Sequence, residues 1–342
     1  MSYLRKKKKN RYVRKVSLED SIFQFPLTRS QFAKILNEPL HVLEGLNKYN
    51  SHFVVGRAVE SNGKSRPLLY PVSNLRRVNE KIKYQLKKLI SPDYLMSPSV
   101  GKWQKTNADF HKDAKVVFEL DIKTFYPSIS RTMIASFFRE KCGIRTDVAG
   151  LITQLLSAQG RIFYGAPTTP LLAFFVCKEM FDEINEVCYQ NDCKMSLWVD
   201  NIYISGDAIP KNLVPSIREI IAKHGLRSHK LKIARTRRPV SISGIDIARG
   251  TVLPKNKTDL EIRDLEKLLH SAGPDTYNEV ALKLLSKLGY QKRVLGPKSK
   301  RAAKISQRMN TINQKRKSKK HMVKPNFYRI SNMIENSSKH AF

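Results

Sequence analysis

The run VVFELDI at 116–122 is long enough and rich enough in β-branched side chains to predict a buried strand. MSLWVDNIYISG, at 195–206, reads as two short strands folded back on each other at Asp200-Asn201. Earlier, FVVGRAV and PLLYPV flank SNGKSR between 53 and 72, and Asn62-Gly63 is the strongest short hairpin signal in the chain. Helical periodicity follows at about 73–90, ended by Pro92, then at 130–142, 146–159 and from Thr169-Pro170 to about Asn191. A helix at 210–224 and strands near 230–234 and 240–248 complete the mixed region. Thr258 with Glu261 predicts a capping box for a helix to about Leu269, and a second helix is expected to end at Gly289. Ahead of the hairpin, Ser17 with Asp20, Ser30 before FAKILN, and PLHVLEGL predict short helices. There are no internal repeats. The chain is α+β, and 342 residues give room for two or three lobes.

Charge changes the picture. The 63 Lys and Arg outweigh 29 Asp and Glu, for a net +34. A surface that basic repels itself unless an anion is bound, and nucleic acid fits because each neutralised phosphate releases a counterion. Residues 1–16 form a basic arm, and 280–334 hold 16 Lys or Arg with no acid. No stretch approaches the ~18 apolar residues that span a bilayer, so an acidic membrane is the weaker partner class. The N-terminus lacks a secretory apolar core, and a cytoplasmic location is expected. Cys142, Cys177, Cys188 and Cys193 have no CxxC spacing and read as structural thiols.

Asp121 ends an apolar strand and Asp200 sits at a hairpin tip. A charge in such a setting is costly unless paired or metal-bound. Taken singly, each is equally an ordinary strand-end or turn Asp. Two acids on adjacent strands suit a pair of Mg²⁺ ions, which prefer hard oxygen ligands.

FELDIKTFYPSI, YGAPTTPLLA and WVDNIYIS occur in that order, and here the chain resembles the reverse transcriptases, specifically the bacterial retron type. The first segment resembles motif A, the second motif B and the third motif C. GLRSHKLK at 225–232 is similar to motif D, with Lys232 at its lysine. The retron hallmark NAxxH stands as Asn107-Ala108-Asp109-Phe110-His111, and Ile242-Ser243-Gly244 is a weaker match to VTG. The resemblance covers about 53–247. It implies a right-hand polymerase fold: a basic arm and short helices at 1–50, fingers at 51–105, and a palm of antiparallel sheet plus helices at 106–250. A helical thumb and basic tail would fill 251–342.

The resemblance also implies roles. Asp121, Ile122 and Asp200 would hold two Mg²⁺ ions, with Mn²⁺ as an alternative. Asp121, Asp200, Asn201 and Lys232 would form the catalytic set. Lys64 and Arg66, at the hairpin tip, would grip the incoming triphosphate, with Tyr164 and Gly165 beside the nucleotide. Tyr126 would exclude a 2′-hydroxyl, whereas Phe125 reads as core. Asn107 and His111 would serve RNA binding. The implied function is RNA-directed DNA synthesis on a cognate structured noncoding RNA, from dNTPs, leaving an RNA–DNA product. An effector protein from the same locus and a part in anti-phage defence are implied too.

Four positions depart from the pattern: Asn201 for the second motif C Asp, Tyr164 for Gln, His229 for Asn, and Phe174 for Asn. They keep two alternatives open. One is a defence-associated relative with untemplated or restricted synthesis, and the other a catalytically silent RNA-binding scaffold.

Overall fold

The structure is a computed structural model that describes residues 14–46, 52–59 and 65–322. In chain order the elements are α1 (Arg29–Leu36), α2 (Leu40–Gly45), β1 (Phe53–Val59), β2 (Ser65–Pro71), α3 (Ser73–Leu86), β3 (Leu95–Ser97), α4 (Gln104–His111) and β4 (Val116–Ile122). Then come α5 (Phe125–Ser128), α6 (Arg131–Ser136), α7 (Thr146–Leu156), β5 (Ser157–Ala158), β6 (Arg161–Ile162), α8 (Thr169–Val176) and α9 (Lys178–Gln190). The rest are β7 (Lys194–Trp198), β8 (Asn201–Gly206), α10 (Leu213–Lys223), β9 (Ser228–Arg235), β10 (Val240–Ile242), β11 (Ile245–Ala248), β12 (Thr251–Leu253), α11 (Asn256–Ser271), α12 (Pro274–Leu295) and α13 (Lys300–Met322).

The chain divides into two compact units, one of 1–103 with 114–234, the other of 104–113 with 235–342. The first unit is built on a sheet in the order β3-β7-β8-β4-β9. β8 runs antiparallel to both of its neighbours, β7 and β4, and β3 joins β7 in parallel, so the sheet is mixed at that edge. Phe118, Leu120 and Ile122 of β4 are buried in one large core with the apolar faces of α3, α7, α8 and α9. The strand expected at 116–122 is present with those bounds.

The helix expected from Thr169 to about Asn191 is two helices. Cys177 breaks it, its N–H turning back to the carbonyls of Ala173 and Phe174. α8 is apolar on nearly every side and is buried at all but Pro170 and Val176, as such a composition requires. Phe174, one of the departures from the family pattern, is 2% exposed and lies among Tyr94, Phe175 and Phe181. Its ring fills space that a buried Asn could occupy only with hydrogen-bond partners of its own. Phe174→Ala is expected to cost ~3–5 kcal/mol, read as a lower midpoint in urea melts at unchanged slope.

The four cysteines are free and buried. Burial pushes the thiols of Cys142, Cys177 and Cys188 up to about 12, so they stay protonated and inert.

Two helix-end expectations in the second unit fail for local reasons. α11 starts at Asn256 after Lys255, so Thr258 lies within the helix rather than capping it. Glu261 instead pairs with Lys287 of α12 at 2.5 Å. α12 runs through Gly289, whose bare Cα faces Met309 of α13. Ile262, Leu284, Leu288, Ile305 and Ile312 make the core of this three-helix packing. The first part of the basic 280–334 segment is therefore structural as well as charged. Upstream, Ser17 and Asp20 close a hydrogen-bonded turn rather than a helix, and the cap of α1 is Thr28 in a capping box with Gln31.

Candidate active site

The two acids meet because of strand register. β4 and β8 pair with Asp121 directly opposite Asn201, so Asp200 stands one residue beyond the pair, in the β7–β8 turn. That turn is Val199-Asp200, one residue earlier than the sequence pattern placed it, since Trp198 pairs with Asn201. Val199 has φ 62°, a left-handed conformation that β-branched residues adopt only at a cost of about 1–3 kcal/mol. Its N–H donates to the Ser97 carbonyl at 3.0 Å, and the Ile122 N–H donates to the Asp200 carbonyl at 3.1 Å. The tip is thus tied on both sides, and a strained residue is held beside the second acid.

Around the carboxylates the charges are mixed. Asp121 Oδ2 lies 3.3 Å from His229 Nδ1 and 3.4 Å from Lys230 Nζ. Asn201 Nδ2 donates to Asp200 Oδ1 at 3.3 Å. Tyr126 is half-buried, and burial, then the Asp200 carboxylate, raises its phenol well above the ordinary range. The hydroxyl is therefore neutral and near the second acid. Phe125, its neighbour, is core, as expected.

Lys232 is not among the groups at Asp121. It lies 3.4 Å from Glu119 Oε2, two residues back along β4, and Tyr203 donates to the other oxygen of Glu119 at 3.2 Å. Lys230 has φ 53°. A left-handed residue inside β9 breaks the strand alternation, and it is Lys230 that reaches the strand-end acid. Sequence reading missed Lys230 and Glu119; a Lys two residues short of the motif lysine carries no signal of that kink.

The segment after β6 packs against the hairpin strand β2: Tyr164 bridges to Leu69. Gly165 has φ 152°, and a Cβ there would sit 3.0 Å from Tyr70 Cβ. The glycine is thus required by the approach of β2 itself, before any ligand is considered. Tyr164 is half-buried against the core. Arg66 lies on β2 opposite Ala58; Lys64, with Asn62 and Gly63, lies outside the described residues, as do most of the basic N-terminal arm and the tail beyond Met322. Beside Pro167 and Pro170 opens a cavity of about 630 Å³, rimmed by Lys15, Lys83, Lys87 and Lys102. Lys15 and Lys102 are anchored on backbone carbonyls, and burial lowers the pKa of both.

Asn107 and His111, for which the resemblance implies RNA binding, are 0% and 1% exposed in the protein alone. Asn107 donates to Ser243 Oγ at 2.7 Å, which joins the two retron-like segments, NAxxH and Ile242-Ser243-Gly244, inside the second unit. The Asn107 bond holds α4 against the β10–β11 hairpin.

The donor set suits Mg²⁺. Among the described residues no group of three His, Cys, Asp or Glu is gathered around a metal position. Two carboxylates, completed by backbone oxygen, substrate phosphate and water, are the set that Mg²⁺ ordinarily takes.

A family profile described as reverse transcriptase (RNA-dependent DNA polymerase) matches residues 56–247. Among curated proteins, the chain is 29% identical over 113 residues to the retron Se72 reverse transcriptase of Salmonella heidelberg (strain 579083-10), covering 33% of this chain and 30% of the relative. Among solved structures, it matches the foamy viral protease-reverse transcriptase in complex with double-stranded DNA. That match has a TM-score of 0.43 and 15% identity, covering 70% of this chain and 36% of the other. The chain thus spans about a third of the length of the proteins it matches.

Proposed function

The chain belongs to the reverse transcriptase (RNA-dependent DNA polymerase) family, and from that premise we propose that it is a retron-type RNA-directed DNA polymerase. It would copy part of a cognate structured noncoding RNA into DNA. The observation that carries the reading is the register of β4 on β8, which sets Asp121 and Asp200 on adjoining strand ends with Asn201 between them. Fingers at 51–105, a palm at 106–250 and a thumb beyond belong to this proposal, as does action in anti-phage defence with an effector from the same locus.

In this reading Asp121 and Asp200, with a backbone oxygen of Ile122, would hold two Mg²⁺ ions. When bound, these supply an ionised 3′-hydroxyl and charge neutralisation at the transferred phosphate. The chain's own groups do the rest. The tied Val199-Asp200 turn fixes the backbone that carries the second carboxylate. Lys230 and Lys232, with Lys64 and Arg66 on the hairpin, meet the nucleotide phosphates. Lys15, Lys83, Lys87 and Lys102 give the 630 Å³ cavity the charge that a nucleic-acid strand requires.

Tyr126 would lie under the sugar. Tyr126→Ala is expected to raise ribonucleotide incorporation relative to deoxyribonucleotide by about tenfold or more, the equivalent of ~1.4 kcal/mol of lost discrimination. Single-nucleotide extension with matched ATP and dATP measures the ratio; an unmoved ratio assigns the ring to packing alone.

A second reading is favoured by one observation: both carboxylates already have partners within the protein, Asp121 in Lys230 and His229, Asp200 in Asn201. A silent RNA-binding scaffold would look the same. To separate the two, the nucleic acid that co-purifies with the full chain is sequenced and then offered as template with dNTPs and Mg²⁺ or Mn²⁺. DNA complementary to that RNA is the expected product. Its absence with both metals overturns the polymerase reading and leaves RNA binding.

A further inference from the structure

α11 and α13 present matching faces. On α11, Asp259, Ile262, Arg263 and Glu266 follow at i, i+3, i+4 and i+7; on α13, Arg301, Lys304, Ile305 and Arg308 do the same. Such spacing puts each set on one side of its helix. The two sets line a cavity of about 380 Å³ in the second unit, with Gln291 of α12 at its back.

The ends of this groove are closed by ion pairs. Arg301 Nη2 lies 3.0 Å from both oxygens of Asp259, and Arg308 pairs with Glu266. Gln291, 4% exposed, donates to Asp259 from below. Ile262 and Ile305, 4% and 5% exposed, belong to the core beneath. Between the two clamps stand Arg263 and Lys304, exposed, and among the described residues neither has an acidic partner. Four cations against two carboxylates leave a charge of +2 over an apolar floor. A solvated helix face needs no such arrangement: acids spent at the ends hold two arginines in place and leave the middle cationic.

We propose that this groove is a phosphate-binding site, distinct from the Asp121–Asp200 pair. Arg263 and Lys304 would hold a dianionic phosphate group or two neighbouring phosphodiesters, flanked by the fixed guanidinium groups of Arg301 and Arg308. The phosphate could belong to an RNA strand or to a free phosphorylated compound; the chemistry is common to both. The proposal does not depend on catalysis.

The test uses the full chain with metal chelated. Two double variants remove the same charge: Arg263→Ala with Lys304→Ala in the groove, and Lys315→Ala with Lys317→Ala further along α13. Pyrophosphate binding is measured by calorimetry, and binding of a single-stranded RNA by filter retention across salt concentrations. If the source is a free phosphorylated compound, the groove variant loses pyrophosphate affinity by about tenfold or more and the control does not. If it is RNA, the groove variant alone lowers the salt slope by about 0.7 for each phosphate no longer neutralised. Equal effects of the two variants in both assays, or none from the groove variant in either, overturns the proposal. Thermal melts of both variants verify that α13 remains docked.

Discussion

Replacing Asp121 or Asp200 by Ala is expected to lower primer extension in Mg²⁺ by about three orders of magnitude or more, ~4 kcal/mol of transition-state stabilisation. The fold should survive either change. Asp121 loses only exposed partners, His229 and Lys230, and such pairs contribute little to stability. Asp200 keeps its main tie in Ala form, because the bond from Ile122 N–H goes to its backbone carbonyl. Melting temperature and RNA affinity should therefore stay near wild type while DNA synthesis is lost. Asp121→Asn separates charge from shape, since it keeps the outline of the side chain and removes its hard anionic oxygen. Glu119→Ala is the matched control: the same strand and a neighbouring lysine pair, but no place at the strand end beside Asn201. An Asp121→Ala protein that still extends a primer would remove the two-metal assignment.

The elements that fix this site were readable because their signals are short-range. VVFELDI can be little other than a buried strand, and two apolar runs around Asp200 can pair in few registers. What could not be read depends on contacts far apart in sequence or on backbone kinks. Lys232 sits at the motif position, yet the left-handed Lys230 inside β9 brings a different lysine to Asp121. Thr258 and Glu261 have the spacing of a cap, but Lys287, from another helix, takes the glutamate. Gly289 looks like a helix stop and is instead a thin place where Met309 packs. Asn107 looks like a ligand-facing polar residue and is buried, its amide bonded to Ser243, 136 residues on. A polar residue's exposure is decided by its tertiary partner, which no local pattern encodes.

Asn201 is where the two readings of the site divide most sharply. Its amide donates to Asp200 Oδ1, so without metal it quiets the charge at the turn. Asn201→Asp replaces that donor with a second carboxylate and sets three acids within one strand pair. Without metal, like charges at this distance repel and raise each other's pKa, so the metal-free variant should melt below wild type. Adding Mg²⁺ should reverse the difference, since a ligand that binds only the folded state stabilises it in proportion to its affinity. The Mg²⁺ concentration for half-maximal extension should fall by about tenfold, ~1.4 kcal/mol. Wild type should respond more strongly than the variant to Mn²⁺, which binds most such sites more tightly than Mg²⁺ and tolerates a poorer ligand set. A silent scaffold predicts otherwise: no DNA from wild type with either metal, and some from Asn201→Asp. A drifted enzyme predicts DNA from wild type and a changed product sequence on restoration, most clearly when Tyr164→Gln is added. Melts with and without Mg²⁺, together with yield and sequence of product for wild type, both single variants and the double, separate the three. An Asn201→Asp protein whose melting temperature ignores Mg²⁺ would show that Asp121 and Asp200 do not form a metal site at all.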